Sequence, residues 1–254
     1  MSNQEKKDFW NGRAQNNELA GTNDLNIKKI ELLELEKYFH DDLTVFEVGC
    51  GNGESAEHFA SKYKISIDAT DFAEKMIAAA TERIALRKDH LGEIKFQVAD
   101  IRNFNTDKRY DLIYSQRSLI NLDSWDEQRH AILKILGWLK PGGRFVMCEN
   151  SLDGLGQINL YRKALGLEDI LPPWHNRYFI EAEVATVSLS GVNLEALVSF
   201  SSTYYFLSRV VNAALAAQKG ESPVYDSPIN QLAFGLPPIN NAGQTKLWVW
   251  RRAL

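Results

Sequence analysis

Proline is missing from the first 140 residues; Pro141 is the first, and the other six are Pro172, Pro173, Pro223, Pro228, Pro237 and Pro238. The first part can therefore carry long uninterrupted elements, while loops gather in the second. Cysteine is scarce. Cys50 and Cys148 each lie in an apolar segment, which excludes a disulfide scaffold or cysteine-built metal cluster and suits the reducing cytoplasm. No apolar run approaches the ~18 residues of a membrane span. The polar start, MSNQEKKDFW, shows no signal peptide. Neither sign of charge dominates: 21 basic and 25 acidic residues lie up to Asn150, with eight of each after it, for a net charge of −4. That balance speaks against nucleic acid as a partner. No repeat or low-complexity tract is present. A 254-residue chain that is 44% hydrophobic and 24% charged buries roughly 70–75% of its unfolded surface and needs no metal or disulfide to fold.

Within 41–149, short apolar segments alternate with helical ones. Strands are expected at 43–49, 65–70, 94–99, 110–115 and 144–149, the last entered by a sharp turn at 140–143 (KPGG). Helices are expected at 54–63, 73–87 and 123–139, the last with an Ile/Leu stripe and Asp123 or Ser124 as its cap. Alternation of this kind implies crossover connections and a mostly parallel sheet covered on both faces. In such sheets ligands bind beyond the carboxyl ends of the strands. After Asn150, helices are expected at 155–166, 181–190 and 210–218, strands at 194–206 and 246–251, and loops at 171–179 and 220–243. The first ~40 residues read as a helical lid, with Phe9 and Trp10 exposed in polar surroundings.

The segment directly after the first strand is Glu47-Val-Gly-Cys-Gly-Asn-Gly53. Gly49, Gly51 and Gly53 allow a tight turn and close approach of a ligand to the backbone, and the next helix offers its N-terminus to the same space. The dinucleotide pattern G-x-G-x-x-G fails because residue 54 is Glu. The E-x-G-x-G-x-G pattern resembles motif I of class I S-adenosylmethionine-dependent methyltransferases. Other segments match that family in order: 67–76 (IDATDFAEKM), 98–101 (VADI), 110–115 (YDLIYS), 139–148 (LKPGGRFVMC) and, near the start, 9–14 (FWNGRA).

The resemblance implies a Rossmann-like α/β fold in one domain. Its seven-stranded, mostly parallel sheet would end in an antiparallel strand, with a lid at 1–40, a cofactor core at 41–150 and an acceptor-shaping part at 151–254. It implies S-adenosylmethionine as cofactor. The glycine loop and Glu47 would lie under its amino-acid part. Asp71 would accept the ribose hydroxyls, with Phe72 and Met76 alongside; Asp100 would meet the adenine amino group and Ile101 pack on the ring. Ser115 and Gln116 would border the amino-acid end, and Trp10 and Arg13 would fold over the cofactor. Taken alone, Asp71 reads first as a helix cap, since it precedes Ala73-Glu74. Cys50 reads as packing, with no base beside it.

Methyl transfer demands alignment of the acceptor, exclusion of water and, for a hydroxyl, a base. Arg117 and Asn121 after the fourth strand, and Glu149 after the fifth, are candidates to engage an acceptor. His175, in the loop Pro172-Pro-Trp-His-Asn-Arg-Tyr178, is the best base candidate, titrating near neutrality; the alternative is a hydrogen-bonded structural histidine. Arg177 suits an anion or an ion pair with Glu181. Ser115, where metal-dependent relatives need an acid, argues against a metal, although Glu149 and Asp153 leave that open. Segments 117–121, 148–151 and 172–176, with Ser202-Thr-Tyr-Tyr205, are similar to methyltransferases associated with surface-polysaccharide pathways. That likeness implies a hydroxyl on a small polar acceptor, such as a sugar. The alternatives are an amine acceptor and a protein that binds the cofactor without catalysis.

Overall fold

The computed structural model describes residues 3–87 and 90–254. Its seven strands are β1 (Thr44–Val48), β2 (Ser66–Asp71), β3 (Glu93–Val98), β4 (Tyr110–Gln116), β5 (Leu139–Asn150), β6 (Val192–Val198) and β7 (Thr245–Arg252). They form one sheet in the order β3-β2-β1-β4-β5-β7-β6. Only β7 runs against its neighbours, β5 and β6. The central strands read as nearly continuous apolar runs because both their faces are covered. Successive side chains point to opposite faces. Phe46, Ile113, Phe145, Met147, Trp248 and Trp250 enter one core, while Val45, Leu112, Tyr114, Val146, Cys148, Leu247 and Val249 enter the other.

Six longer helices matter for the site: α1 (Asn3–Arg13), α2 (Leu25–Glu36), α3 (Glu54–Lys62), α4 (Glu74–Ala85), α5 (Trp125–Gly137) and α6 (Leu152–Ala164). The apolar stripe of α5 closes the first core through Ile132, Ile135 and Leu136. Leu32 and Leu35 of α2 and Phe59 of α3 close the second. Ser124, not Asp123, caps α5, accepting the Glu127 amide while Glu127 accepts the Asp123 amide at 2.9 Å.

The proline-rich part departs from the sequence expectations. Residues 181–190 hold only the one-turn helix Glu181–Val184, because the chain must turn back at once to enter β6. The strand expected over 194–206 stops at Val198, and helix begins at Ser202. Tyr204 and Tyr205 are buried against α2 and α6 there, so tertiary packing overrides their strand preference. A helix, Pro228–Phe234, stands inside the expected loop, with proline in its first turn and Ser227 as its cap. The KPGG segment is an irregular part of β5, with a register shift opposite Tyr110 and Leu112. Phe9 and Trp10 are half-buried, and Phe9 packs on Trp174 and His175.

Candidate active site

The sheet order reverses direction between β1 and β4, the place where such sheets leave a crevice. A cleft opens there. Gly49, Gly51 and Gly53, after β1, all have left-handed φ values of +70°, +54° and +78°. A Cβ on Gly49 would fall 1.8 Å from Ser118 Oγ, so glycine lets the loop after β4 cross the loop after β1. A Cβ on Gly51 would meet no protein atom within 4 Å, yet Gly51 lines the cleft. Its absence thus keeps backbone accessible to a ligand.

Asp71 ends β2 at the cleft wall. Its two oxygens accept the amides of Gly51 and Ala73, each at 2.9 Å. It therefore braces the glycine loop and turns the chain toward α4, whose N-cap is Ala73 rather than Asp71. Burial raises its pKa to about 6. Glu47, buried on β1, is raised to about 7, also chiefly by burial; the Ser55 hydroxyl donates to it. Asp100 is partly buried, but its ion pair with Arg102 outweighs that and holds its carboxyl below the usual range. Lys134 of α5 donates to the carbonyls of Ile101 and Arg102, fixing this corner.

The opposite wall comes from α1, α2 and the loop after β4. Trp10 Nε1 donates to Asn121 Oδ1 at 3.0 Å, and Lys6 Nζ to the Asn121 carbonyl at 2.5 Å, so Asn121 fastens α1 over the cleft. Lys28 of α2 reaches the Glu18 carbonyl at 2.9 Å and pairs with Glu54 at the start of α3. Gln116 and Arg117 both contact Glu31 of α2.

Of the residues expected from sequence, Trp10, Glu47, Gly49, Gly51, Asp71 and Phe72 line this one cleft, as do Met76, Asp100, Ile101, Gln116 and Arg117. Five expected residues are placed outside the lining. Gly53 packs under Phe96 and Ala80. Arg13 donates to the Ala20 carbonyl at 2.6 Å and so braces the lid's own loop. Ser115 is buried and donates to Glu149 at 2.8 Å. Glu149 is itself fully buried and accepts three amides of the loop after β4. His175 lies among Phe9, Trp10 and Trp174. Burial, with Lys6 and Arg13 nearby, lowers its pKa to about 4, which leaves it neutral but a weak base. Arg177 pairs with Glu183 rather than Glu181. Asp153 accepts the Glu181 amide, and among the described residues no His, Cys, Asp and Glu cluster could hold a metal ion. Cys50 is buried, and burial pushes its thiol up.

Sequence reasoning did not pick out Lys6, Lys28, Asn52 or Glu54, which line the cleft. The lysines sit in helices whose pattern carries no site signal. Glu54 registered only as the residue that breaks the dinucleotide pattern.

Residues 45–143 match the family model described as "Methyltransferase domain". Residues 45–143 thus carry a methyltransferase domain. Over 101 residues it is 31% identical to "Malonyl-[acyl-carrier protein] O-methyltransferase 2" of Ilyobacter polytropus, covering 39% of this chain and 36% of that one. Over 126 residues it is 29% identical to "27-O-demethylrifamycin SV methyltransferase" of Amycolatopsis mediterranei, covering 49% and 42%. The matches thus span less than half the length of these relatives. Among solved structures, a S-adenosylmethionine-dependent methyltransferase from Clostridium acetobutylicum superposes with a TM-score of 0.54 at 15% identity, covering 93% and 96%. The mycolic acid cyclopropane synthase CmaA1, solved with S-adenosylhomocysteine, gives 0.57 at 16% identity, covering 89% and 84%. These two likenesses show the methyltransferase fold. The family's cofactor is S-adenosylmethionine, and the cleft of this methyltransferase domain suits it: open backbone at Gly51 and carboxylates at the ends of β2 and β3.

Proposed function

We propose that the protein transfers a methyl group from S-adenosylmethionine to a hydroxyl of a small polar acceptor, such as a sugar, in the cytoplasm. One observation carries the reading: the left-handed glycine loop, Asp71 and Asp100–Ile101, from the ends of three adjacent strands, line a single cleft. Asp71 and Asp100 would hold the ribose and adenine, and the glycine loop would pass under the amino-acid part. When bound, the cofactor supplies an electrophilic methyl and its own leaving group.

The chain's own task is orientation and exclusion of water. Trp10 and Lys6, fastened to Asn121, lay α1 across the cleft and shield it. The loop after β4 brings Gln116, Arg117 and Asn121 to the side away from Asp71 and Asp100. These polar side chains would orient the acceptor. The names of the two relatives support oxygen as the methylated atom in those proteins, and a balanced charge of −4 supports a small acceptor over nucleic acid. Two free, buried cysteines suit a reducing compartment. The test is transfer of labelled methyl from S-adenosylmethionine to a panel of sugars, nucleotide-linked sugars and hydroxylated metabolites. Label on a hydroxyl oxygen is the expected result. Label on nitrogen alone, or cofactor binding with no transfer to any acceptor, overturns the reading.

A further inference from the structure

Arg117 has a φ of +52°, one of three positive values among the described non-glycine residues. An L residue in this region is strained and persists where its surroundings dictate it. Here the Arg117 amide donates to the Cys148 carbonyl at 2.8 Å, which locks the kink directly after β4. Its side chain, 16% exposed, lies against α2. Glu31, 0% exposed, places Oε2 3.1 Å from Arg117 Nε. Gln116 Nε2 donates to the same oxygen at 2.8 Å. The guanidinium thus turns its Nε edge toward Glu31 in an ion pair, with no hydrogen bond from Nε. Its Nη pair lies beside Gly21, a residue of the cleft wall, where Nη1 reaches only the Gly21 carbonyl at 3.3 Å. Nη2 has no hydrogen-bond partner among the described residues.

Charge is also segregated along the cleft. Glu47, Asp71 and Asp100 lie toward β1–β3, and Lys6, Lys28 and Arg117 toward α1, α2 and the loop after β4. All four cations of the lining are paired: Lys6 with Asp123, Lys28 with Glu54, Arg117 with Glu31 and Arg102 with Asp100. What the Arg117 end offers an anion is therefore the Nη donors that its ion pair with Glu31 leaves over, not net charge.

We propose that Arg117 is the carboxylate-binding residue of this cleft, its Nη pair taking the two oxygens of a planar carboxylate on a bound small molecule. A fork of two N–H donors fits that group in a way a lysine ammonium does not. The carboxylate can come from the acceptor or from the amino-acid end of the cofactor. The inference rests on the methyltransferase reading but fails separately from it.

The test compares the intact protein with Arg117→Lys and with Arg117→Gln/Glu31→Gln, which leaves no lone buried carboxylate. Melting curves establish that each variant folds. Calorimetry then measures S-adenosylhomocysteine, 5′-methylthioadenosine, which lacks the amino-acid part, and malonate added to S-adenosylhomocysteine-loaded protein. If the carboxylate is the cofactor's, S-adenosylhomocysteine weakens about 10- to 100-fold in both variants while 5′-methylthioadenosine is unchanged. If it is the acceptor's, S-adenosylhomocysteine is unchanged, and malonate binds the intact protein and weakens by a similar factor in the variants. No change in either arm overturns the role of Arg117 and leaves the methyltransferase reading standing. Failure of the intact protein to bind S-adenosylhomocysteine overturns that reading instead.

Discussion

Glu149 Oε1 lies 2.8 Å from the Ser115 hydroxyl that donates to it, tying the end of β5 to the end of β4. The same carboxylate accepts the amides of Ser118, Leu119 and Ile120 at 3.0, 2.9 and 3.4 Å. One buried side chain therefore shapes the loop that carries Gln116, Arg117 and Asn121 to the cleft. Replacing it with alanine strands three buried amides. Glu149→Ala should lower stability by about 3–5 kcal/mol, and Glu149→Gln by less, since one carbonyl oxygen remains. Urea unfolding measures both. A loss below about 1 kcal/mol in the alanine variant would show that the loop holds itself.

Buried acids should make stability rise as pH falls toward 5. Burial lifts Glu47 and Glu149 from 4.5 to about 7 and Asp71 from 3.8 to about 6. A raised folded-state pKa contributes stability that is complete below the unfolded value and lost as pH rises through the folded one. The window is thus about pH 4–7, and each group contributes at most about 3 kcal/mol. His175, lowered to about 4, acts in the opposite direction below pH 6.5, but it is a single group. The ligand-free protein should melt several degrees higher at pH 5.5 than at pH 8. Glu149→Gln should flatten that slope. A higher melting temperature at pH 8 would contradict these pKa shifts.

Two glycines of one loop should fail in different ways. Gly49→Ala drives a methyl onto Ser118 at a φ of +70°, so it should destabilise the fold and weaken cofactor binding together. Gly51→Ala meets no protein atom, so it should cost only the left-handed strain of about 1 kcal/mol while S-adenosylhomocysteine affinity falls at least about tenfold. Unfolding curves beside calorimetry separate the two. Normal affinity in Gly51→Ala would mean that no ligand approaches that backbone.

His175 packs within a ring cluster that joins α1 to the proline loop, its centroid 4.4 Å from that of Phe9. His175→Gln should therefore leave the shape of the pH–rate profile between pH 6 and 9 unchanged and raise the KM for the cofactor a few-fold by loosening the lid. A profile that loses a titrating limb would instead assign His175 the role of base.

The cofactor half of this architecture was legible because each signal was local. Gly49, Gly51, Asp71 and Asp100 follow apolar runs, and a parallel sheet brings all such positions to one edge. The acceptor half was not, because its determinants are contacts between distant segments. Lys28 meets Glu54 across 26 residues and Arg117 meets Glu31 across 86. Tyr204 and Tyr205 look like strand residues until α2 and α6 pack on them. Glu149 stands at the end of a strand as a ligand would, yet its surroundings are amides of its own chain.

If this cleft binds S-adenosylmethionine with Asp71 as acceptor for its ribose, removing that carboxylate must weaken the cofactor. The direct measurement is calorimetric titration of S-adenosylhomocysteine into the intact protein and into Asp71→Ala, with folding of both verified. One molecule should bind per chain, and the variant should bind it about 1.5–3 kcal/mol more weakly, the scale of a lost charged hydrogen-bond acceptor. No binding to the intact protein, or equal affinity in the two, would contradict it.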